Sequence, residues 1–186
     1  CGALPMTTPI TVDALIARYD GFLIDAYGVL VSGAGPLPGA AAFLRRLSDA
    51  DRPWLIVTND ASKGQDVAAA NYQAWGLPIG ADRIVSSGSL LPGWLAAQGL
   101  TGAPTCLLGP ASAHAFAGGN PLVQPDDPSW SVLAICDEAG FDFLAGMDAA
   151  LSTAIARIDA GLPVHIVTPN PDLIYNAGPQ RYGYAA

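Results

Sequence analysis

The sequence predicts an α/β fold built on a mainly parallel sheet, and three observations carry that expectation. Strand-like and helix-like segments alternate along the chain. Segments such as "GFLIDAYGVLVSG", residues 21–33, run from a buried strand straight into a loop. Hydrophobic residues make up 51% of the 186 positions and charged ones only 13%, enough for a substantial core in one large domain or two small ones.

In chain order, "TVDALIARY" opens with Thr11 as an N-cap and predicts a short helix with Val12, Leu15, Ile16 and Tyr19 on one face. A strand over Phe22 to Asp25 follows, then the Gly/Pro-rich "SGAGPLPGA" and a helix from about Ala40 to Leu47. "PWLIVTND" reads as the next strand, and a helix from Ser62 ends near Trp75, with Gly76 as its stop. "RIVSSGS" is strand into turn, and "LLPGWLAAQG" is a helix with Pro92 in its first turn, where the missing N–H does no harm. "TCLLG" and "SVLAIC" are strands separated by the loop "GNPLVQPDDPS". "MDAALSTAIARIDAG" is the clearest helix, with Leu151, Ala154, Ile155 and Ile158 on one face, and "PVHIVTPNPDLIY" supplies the last strand and turn.

Composition removes several classes of function. The net charge is −8 with only eight Lys and Arg, so no basic stripe exists to neutralise a nucleic-acid backbone. No apolar run reaches the length of a membrane span, and the N-terminal stretch lacks the charged start and apolar middle of a signal peptide. Cys1, Cys106 and Cys136 are odd in number and widely spaced, against both a disulfide framework and a zinc site. A cytoplasmic protein is expected, without nucleic-acid or membrane partners. Trp54, Trp75, Trp94 and Trp130 read as packing residues, and His165 as a core histidine.

Ligands of open α/β sheets gather at the carboxyl ends of strands. Two such ends stand out: "LIDAYG" presents Asp25, and "LIVTND" presents Thr58, Asn59 and Asp60. Together they offer a nucleophilic carboxylate and, beside it, a hydroxyl with backbone N–H groups at a helix start able to hold an anion. Singly, Asp25 also reads as a turn-forming residue and Thr58 as a cap. Ser86, Ser87 and Ser89 could reach the same anion or simply cap.

"DAYGVL", the following "GPLPGA" and then "IVTNDASK" resemble the haloacid dehalogenase superfamily, whose D-x-D-G motif carries the nucleophile and whose second strand ends in Thr or Ser, then Asn. The stretch from Val57 to Gly88 looks like the branch that includes nucleotide-, pyridoxal- and 4-nitrophenyl-phosphatases, and Asn170, Pro171 and Asp172 match its return sequence. The resemblance implies a Rossmann-like parallel core with an inserted α/β cap: residues 1–79 as the first part of the core, 80–165 as the cap and 166–186 as the return. It also implies a phosphatase of a small phosphorylated metabolite, with Asp25 as nucleophile and Thr58, Asn59, Asp60 and the turn at Gly28 around the phosphate. Mg²⁺ would be held by the Asp25 carboxylate and the carbonyl of Tyr27. A homodimer through the cap goes with the same expectation.

Two departures qualify it. Tyr27 stands where the family keeps its general acid, and a phenol is a poor proton donor at neutral pH. "DAYG" also resembles the 2-haloacid dehalogenases, but those carry a helical cap between the two motifs, and here only 33 positions (58 − 25) separate Asp25 from Thr58. The family's later lysine and acidic metal loop are absent by "GPQRYGYAA", so a truncated version of a longer protein is expected. A competing assignment takes "CDEAGFD" as the acidic loop, with Asp137 and Asp142 as ligands and Lys63 as the balancing cation. A catalytically silent binder of a phosphorylated metabolite or of a protein is a third reading.

Overall fold

A computed structural model of the chain describes residues 9–178 and 181–184. Cys1 lies outside them. Helix α1 (Val12–Arg18) begins as expected at Thr11, whose hydroxyl accepts the Ala14 N–H at 3.2 Å. It buries no residue, although Ile16 leans on the first core cluster.

Strand β1 (Phe22–Ile24) is followed by a short antiparallel hairpin, β2 (Val31–Ser32) with β3 (Gly35–Pro36), in the segment read as Gly/Pro-rich loop. Helix α2 (Ala40–Asp49) then leads to β4 (Trp54–Thr58), α3 (Gln65–Ala74) and β5 (Ile84–Ser86). The three longer strands form one parallel sheet in the order β1-β4-β5, with Ile24 opposite Ile56 and Thr58 opposite Ser86. Two parallel neighbours joined by α2 need one crossover, and α2 supplies it by burying Ala40, Leu44 and Leu47 on the sheet. Those residues meet Leu30, Trp54, Ile56, Leu77, Ile79 and Ile84 in a single cluster, where each large aliphatic side chain contributes about 1.5–3 kcal/mol by leaving water.

Helix α4 (Leu91–Ala97), with Pro92 in its first turn, carries the chain to a second sheet. That sheet is β6 (Thr105–Leu108), β7 (Val132–Ile135) and β8 (His165–Val167), all parallel and in sequence order. A 3₁₀ segment, Ala111–Ala117, fills part of the crossover between β6 and β7, where no helix is expected from composition. Helix α5 (Phe143–Asp159) crosses from β7 to β8. Finally β9 (Ile174–Gly178) and β10 (Arg181–Tyr184) pair antiparallel as a separate two-stranded sheet. No helix among the described residues is long and apolar enough to cross a membrane.

Four expectations are corrected. Helix α3 starts at Gln65 rather than Ser62, because Ser62 is tied back to Asp60 by two hydrogen bonds that hold the chain in a turn. Helix α5 begins at Phe143 because the Asp142 carboxylate caps it through the Ala145 N–H at 3.1 Å. Its buried face is Ala150, Ala154 and Arg157; Leu151, Ile155 and Ile158 are exposed. The small alanines let the helix approach Cys106, Leu108 and Leu133 closely, and the Arg157 guanidinium satisfies the carbonyls of Pro128 and Pro163. Trp54 and Trp130 are buried, as packing residues should be, whereas Trp75 is 46% exposed at the end of α3.

Candidate active site

Parallel pairing places Asp25 and Thr58 at the carboxyl ends of adjacent strands, because Ile24 lies opposite Ile56 and each strand ends within two residues of that pair. Neighbouring strands lie about 4.8 Å apart, so the two residues stand at the same edge of the sheet, the edge where ligands of open α/β sheets gather. Asp25 is exposed, and its Oδ1 accepts the Ala26 N–H at 2.7 Å, which fixes the carboxylate against the turn. The turn itself is closed by Ala26, whose carbonyl accepts from Leu30 at 2.9 Å and Val31 at 3.0 Å. Gly28 occupies φ 85°, a left-handed backbone that only glycine adopts cheaply, and its N–H donates to the Val31 carbonyl at 2.7 Å. Tyr27 pairs with Val31 in the backbone, and the residue is 40% exposed.

On β4, the Thr58 hydroxyl accepts the Asp60 N–H at 3.3 Å and keeps its own hydrogen for donation. Asn59 reaches across 113 positions: its side-chain amide donates to both oxygens of Asp172, at 3.4 and 3.3 Å, while its carbonyl accepts the Ser87 hydroxyl at 2.8 Å. Asn170 in turn accepts the Asp172 N–H at 2.9 Å. The N-P-D sequence is therefore fastened to the end of β4. Ser86 and Ser89 bond to each other across the turn after β5, which is the capping role.

Asp60 is held by Lys63 and by Ser62, whose N–H and hydroxyl donate to it at 2.8 and 2.6 Å. Burial pushes its carboxyl upward, but the Lys63 ammonium and these hydrogen bonds more than offset that and leave it below the ordinary carboxylate value. Tyr72 of α3 is buried in the first core cluster; burial, reinforced by the charges of Asp60 and Asp25, pushes its phenol up to about 12.

The second sheet closes over this region through contacts that no sequence pattern signals. Gly64 donates to the Ser112 carbonyl at 3.1 Å, and the Ser112 hydroxyl donates to the Ser62 carbonyl at 2.7 Å. Ala61 packs in one cluster with Ala113, Phe116 and Cys136. Asp137, next along, is raised by burial and by the nearby carboxylates of Glu138 and Asp60, against an opposing hydrogen bond from the Ala139 N–H.

Of the competing assignment, Asp142 caps α5, Lys63 is paired with Asp60, and Asp137 accepts the Ala139 N–H; among the described residues no cluster of three His, Cys, Asp or Glu able to hold a metal occurs. At the end of β1, the exposed Asp25 carboxylate and the turn carbonyls are hard oxygen donors. That donor type suits Mg²⁺, which commonly binds one or two carboxylates and keeps several waters. Cys106 and Cys136 are free, buried thiols, each pushed up to about 12, chiefly by burial.

An open parallel sheet with a carboxylate and a hydroxyl on adjacent carboxyl ends defines a Rossmann-like α/β protein. A model of the haloacid dehalogenase-like hydrolases matches residues 22–118, just over half of the chain, and the chain belongs to that family. It is 30% identical over 110 residues, 59% of this chain and 42% of the relative, to the acid sugar phosphatase of Staphylococcus saprophyticus. Its fold matches a possible sugar phosphatase of the superfamily from Cytophaga hutchinsonii with a TM-score of 0.84 and 23% identity, covering 97% of this chain and 64% of that one. A glycerol phosphate phosphatase from Mycobacterium tuberculosis, in complex with calcium, is 26% identical with a TM-score of 0.66, covering 87% of this chain and 46% of that one. The chain thus spans less than two thirds of the length of these relatives.

Proposed function

We propose that the protein containing this chain is a Mg²⁺-dependent phosphatase of a small phosphomonoester, with Asp25 as nucleophile. The supporting observation is the placement of Asp25 and Thr58 on adjacent strand ends, in a fold shared with sugar and glycerol phosphate phosphatases. In this reading an Asp25 oxygen attacks phosphorus in line, the ester P–O bond breaks, and the phosphoryl group rests on the aspartyl carboxylate until water removes it. The Thr58 hydroxyl and the Asn59 N–H donate to the phosphoryl oxygens, Gly28 shapes the turn beside them, and Asp60 with Lys63 holds the loop in place. Mg²⁺ would be held by the Asp25 carboxylate and the Tyr27 carbonyl, where it supplies neutralisation of phosphoryl charge. The β1-β4-β5 sheet is then the first part of the core and the β6-β7-β8 unit the cap, which moves the expected boundary at 79/80 to beyond β5, since Ile84–Ser86 pairs with β4, and the one at 165/166 to beyond β8. A cytoplasmic location goes with this reading, since Cys106 and Cys136 are unpaired.

Halide displacement of the 2-haloacid type has less support. The interval between Asp25 and Thr58 is filled by the β2–β3 hairpin and α2, with no helical cap.

Tyr27 sets the expected selectivity. Without a carboxylic acid to protonate an alkoxide, alkyl esters lose about 10²- to 10⁴-fold, whereas a nitrophenolate leaves unaided. Turnover of 4-nitrophenyl phosphate should exceed that of a sugar phosphate and should require Mg²⁺. Equal efficiency on both, or activity without metal, counts against the mechanism. A homodimer through the cap belongs to the same reading, because α5 turns Leu144, Leu151, Ile155 and Ile158 outward. Light scattering should give a dimer mass, and a monomer at micromolar concentration excludes it.

A further inference from the structure

Three arginines of this chain each face a carboxylate: Arg46 with Asp13, Arg52 with Asp20 and Arg83 with Asp82. Arg157 does not. It is only 9% exposed, deeper than those three, and its guanidinium donates to the carbonyls of Pro128 and Pro163. Among the described residues it has no ion pair, and its buried Nε has no hydrogen-bond partner. Arg52 shares the second feature but has Asp20 for its charge. Carbonyl dipoles solvate a buried cation without neutralising it, and a buried charge left uncompensated is costly. A bound ion is one of the few things that accounts for such a group.

Arg157 also forms part of the wall of a cleft of about 400 Å³, a volume within the range of small-molecule sites. Pro128, Ala156, Ala160 and Leu162 give the cleft its apolar walls, and Ser152 and Thr153 bring hydroxyls to it. At about 100° per residue, Ser152, Ala156 and Ala160 follow one stripe of α5, and Leu151, Ile155 and Ile158 follow another, with the buried Ala150, Ala154 and Arg157 between them. The outward apolar stripe and the cleft are thus different surfaces. Pro128 and Pro163 precede β7 and β8, so the cleft stands at the amino ends of those strands. The first sheet meets the second at the other end, through Ser112 after β6 and Cys136 after β7. The cleft is therefore no part of the Asp25 site, and its occupant does not depend on what that site turns over.

We propose that this cleft binds a small monocarboxylate with an apolar body, its carboxylate set against Arg157 and its body against Pro128, Ala156 and Leu162. The surroundings argue for a single negative charge. Arg157 is the cation among the lining residues, while the end of α5 carries partial negative charge and Asp159 belongs to its last turn. Asp126 and Asp127 stand in the loop ahead of Pro128, and Asp127 accepts the Ser129 N–H. None of these three acids pairs with Arg157, but together they repel a dianion more than one guanidinium offsets. The apolar walls add affinity only for a ligand that has apolar surface to bury.

Calorimetry on the full-length protein at fixed ionic strength tests this with four compounds. They are 3-phenylpropionate, its neutral amide 3-phenylpropionamide, acetate, which lacks the apolar body, and benzylmalonate, which adds a second carboxylate to the same body. The expected result is that 3-phenylpropionate binds about tenfold or more tightly than each of the others. Arg157→Met keeps an unbranched apolar side chain without the charge, and it should weaken 3-phenylpropionate about tenfold while leaving the amide unchanged. Should that variant fail to fold, Ala156→Phe decides: Ala156 is exposed, so a ring there fills the cleft and leaves the Arg157 hydrogen bonds in place. Binding of 3-phenylpropionate should fall by the same factor, with the thermal midpoint unchanged. Loss in these variants also assigns the binding to the cleft and not to the Asp25 site. No binding of 3-phenylpropionate at about 10 mM overturns the proposal. Equal affinity for the amide, for acetate or for benzylmalonate overturns it too, as does unchanged affinity in either folded variant.

Discussion

Asp25→Asn in the full-length, Mg²⁺-loaded protein is expected to abolish phosphatase turnover, lowering kcat by about 10⁴-fold or more, as removal of a nucleophile does. An amide oxygen cannot carry the phosphoryl group as a stable acyl phosphate at a useful rate. The fold should not suffer. Asp25 is exposed, and the interaction shown for its carboxylate is acceptance of the Ala26 N–H, which the amide oxygen of Asn can reproduce. Stability should therefore change by less than about 0.5 kcal/mol, the usual range for such surface changes. Activity on 4-nitrophenyl phosphate and the thermal midpoint, measured on the same preparation, test both halves. Wild-type turnover in a folded Asp25→Asn protein removes the covalent mechanism. Lost turnover with lost folding is resolved by Asp25→Glu, which keeps the charge but displaces the attacking oxygen.

The parts of this site that could be read in the sequence are those whose logic is local. Strand, crossover helix and parallel strand is a repeating rhythm, so the adjacency of Asp25 and Thr58 follows from α2 alone. The Asn59–Asp172 and Ser62–Ser112 contacts span 113 and 50 positions, and no periodicity encodes such pairings. The β2–β3 hairpin escaped for a different reason: two-residue strands are too short to alternate, and Gly35 at φ 109° looks in sequence like any loop glycine. Helix α5 illustrates the limit of apolar patterning. Its large residues Leu151, Ile155 and Ile158 suggest the core face, yet close packing on the second sheet selected the alanines. Asp60 carried an expected place in the site, but its identity gave no sign that Lys63 would pair with it.

Tyr27→Asp carries the second large effect. It should raise kcat/KM on alkyl phosphates by about 10²-fold or more, with a smaller gain on 4-nitrophenyl phosphate, because a carboxyl group two residues beyond Asp25 can protonate a departing alkoxide and then activate the water that clears the aspartyl phosphate. The structural risk is limited. Tyr27 is 40% exposed, so its loss leaves less of a cavity than truncating a buried aromatic, which costs about 3 to 5 kcal/mol. Backbone pairing of residue 27 with Val31 does not depend on the side chain, and Gly28 still closes the turn. A new acid close to Asp25 adds repulsion, and Mg²⁺ should relieve it; the gain is accordingly expected only with metal present. A Tyr27→Asn control separates proton transfer from mere removal of the ring: the amide has no acid to donate and should gain nothing. Combining Tyr27→Asp with Asp25→Asn should return activity to background, since the acid has no role without the nucleophile. If Tyr27→Asp folds normally, binds Mg²⁺ and still gains on no alkyl phosphate tested, proton transfer is not what limits this site. A chain that keeps the family's strand-end geometry without its turnover is then better described as a binder of phosphorylated metabolites.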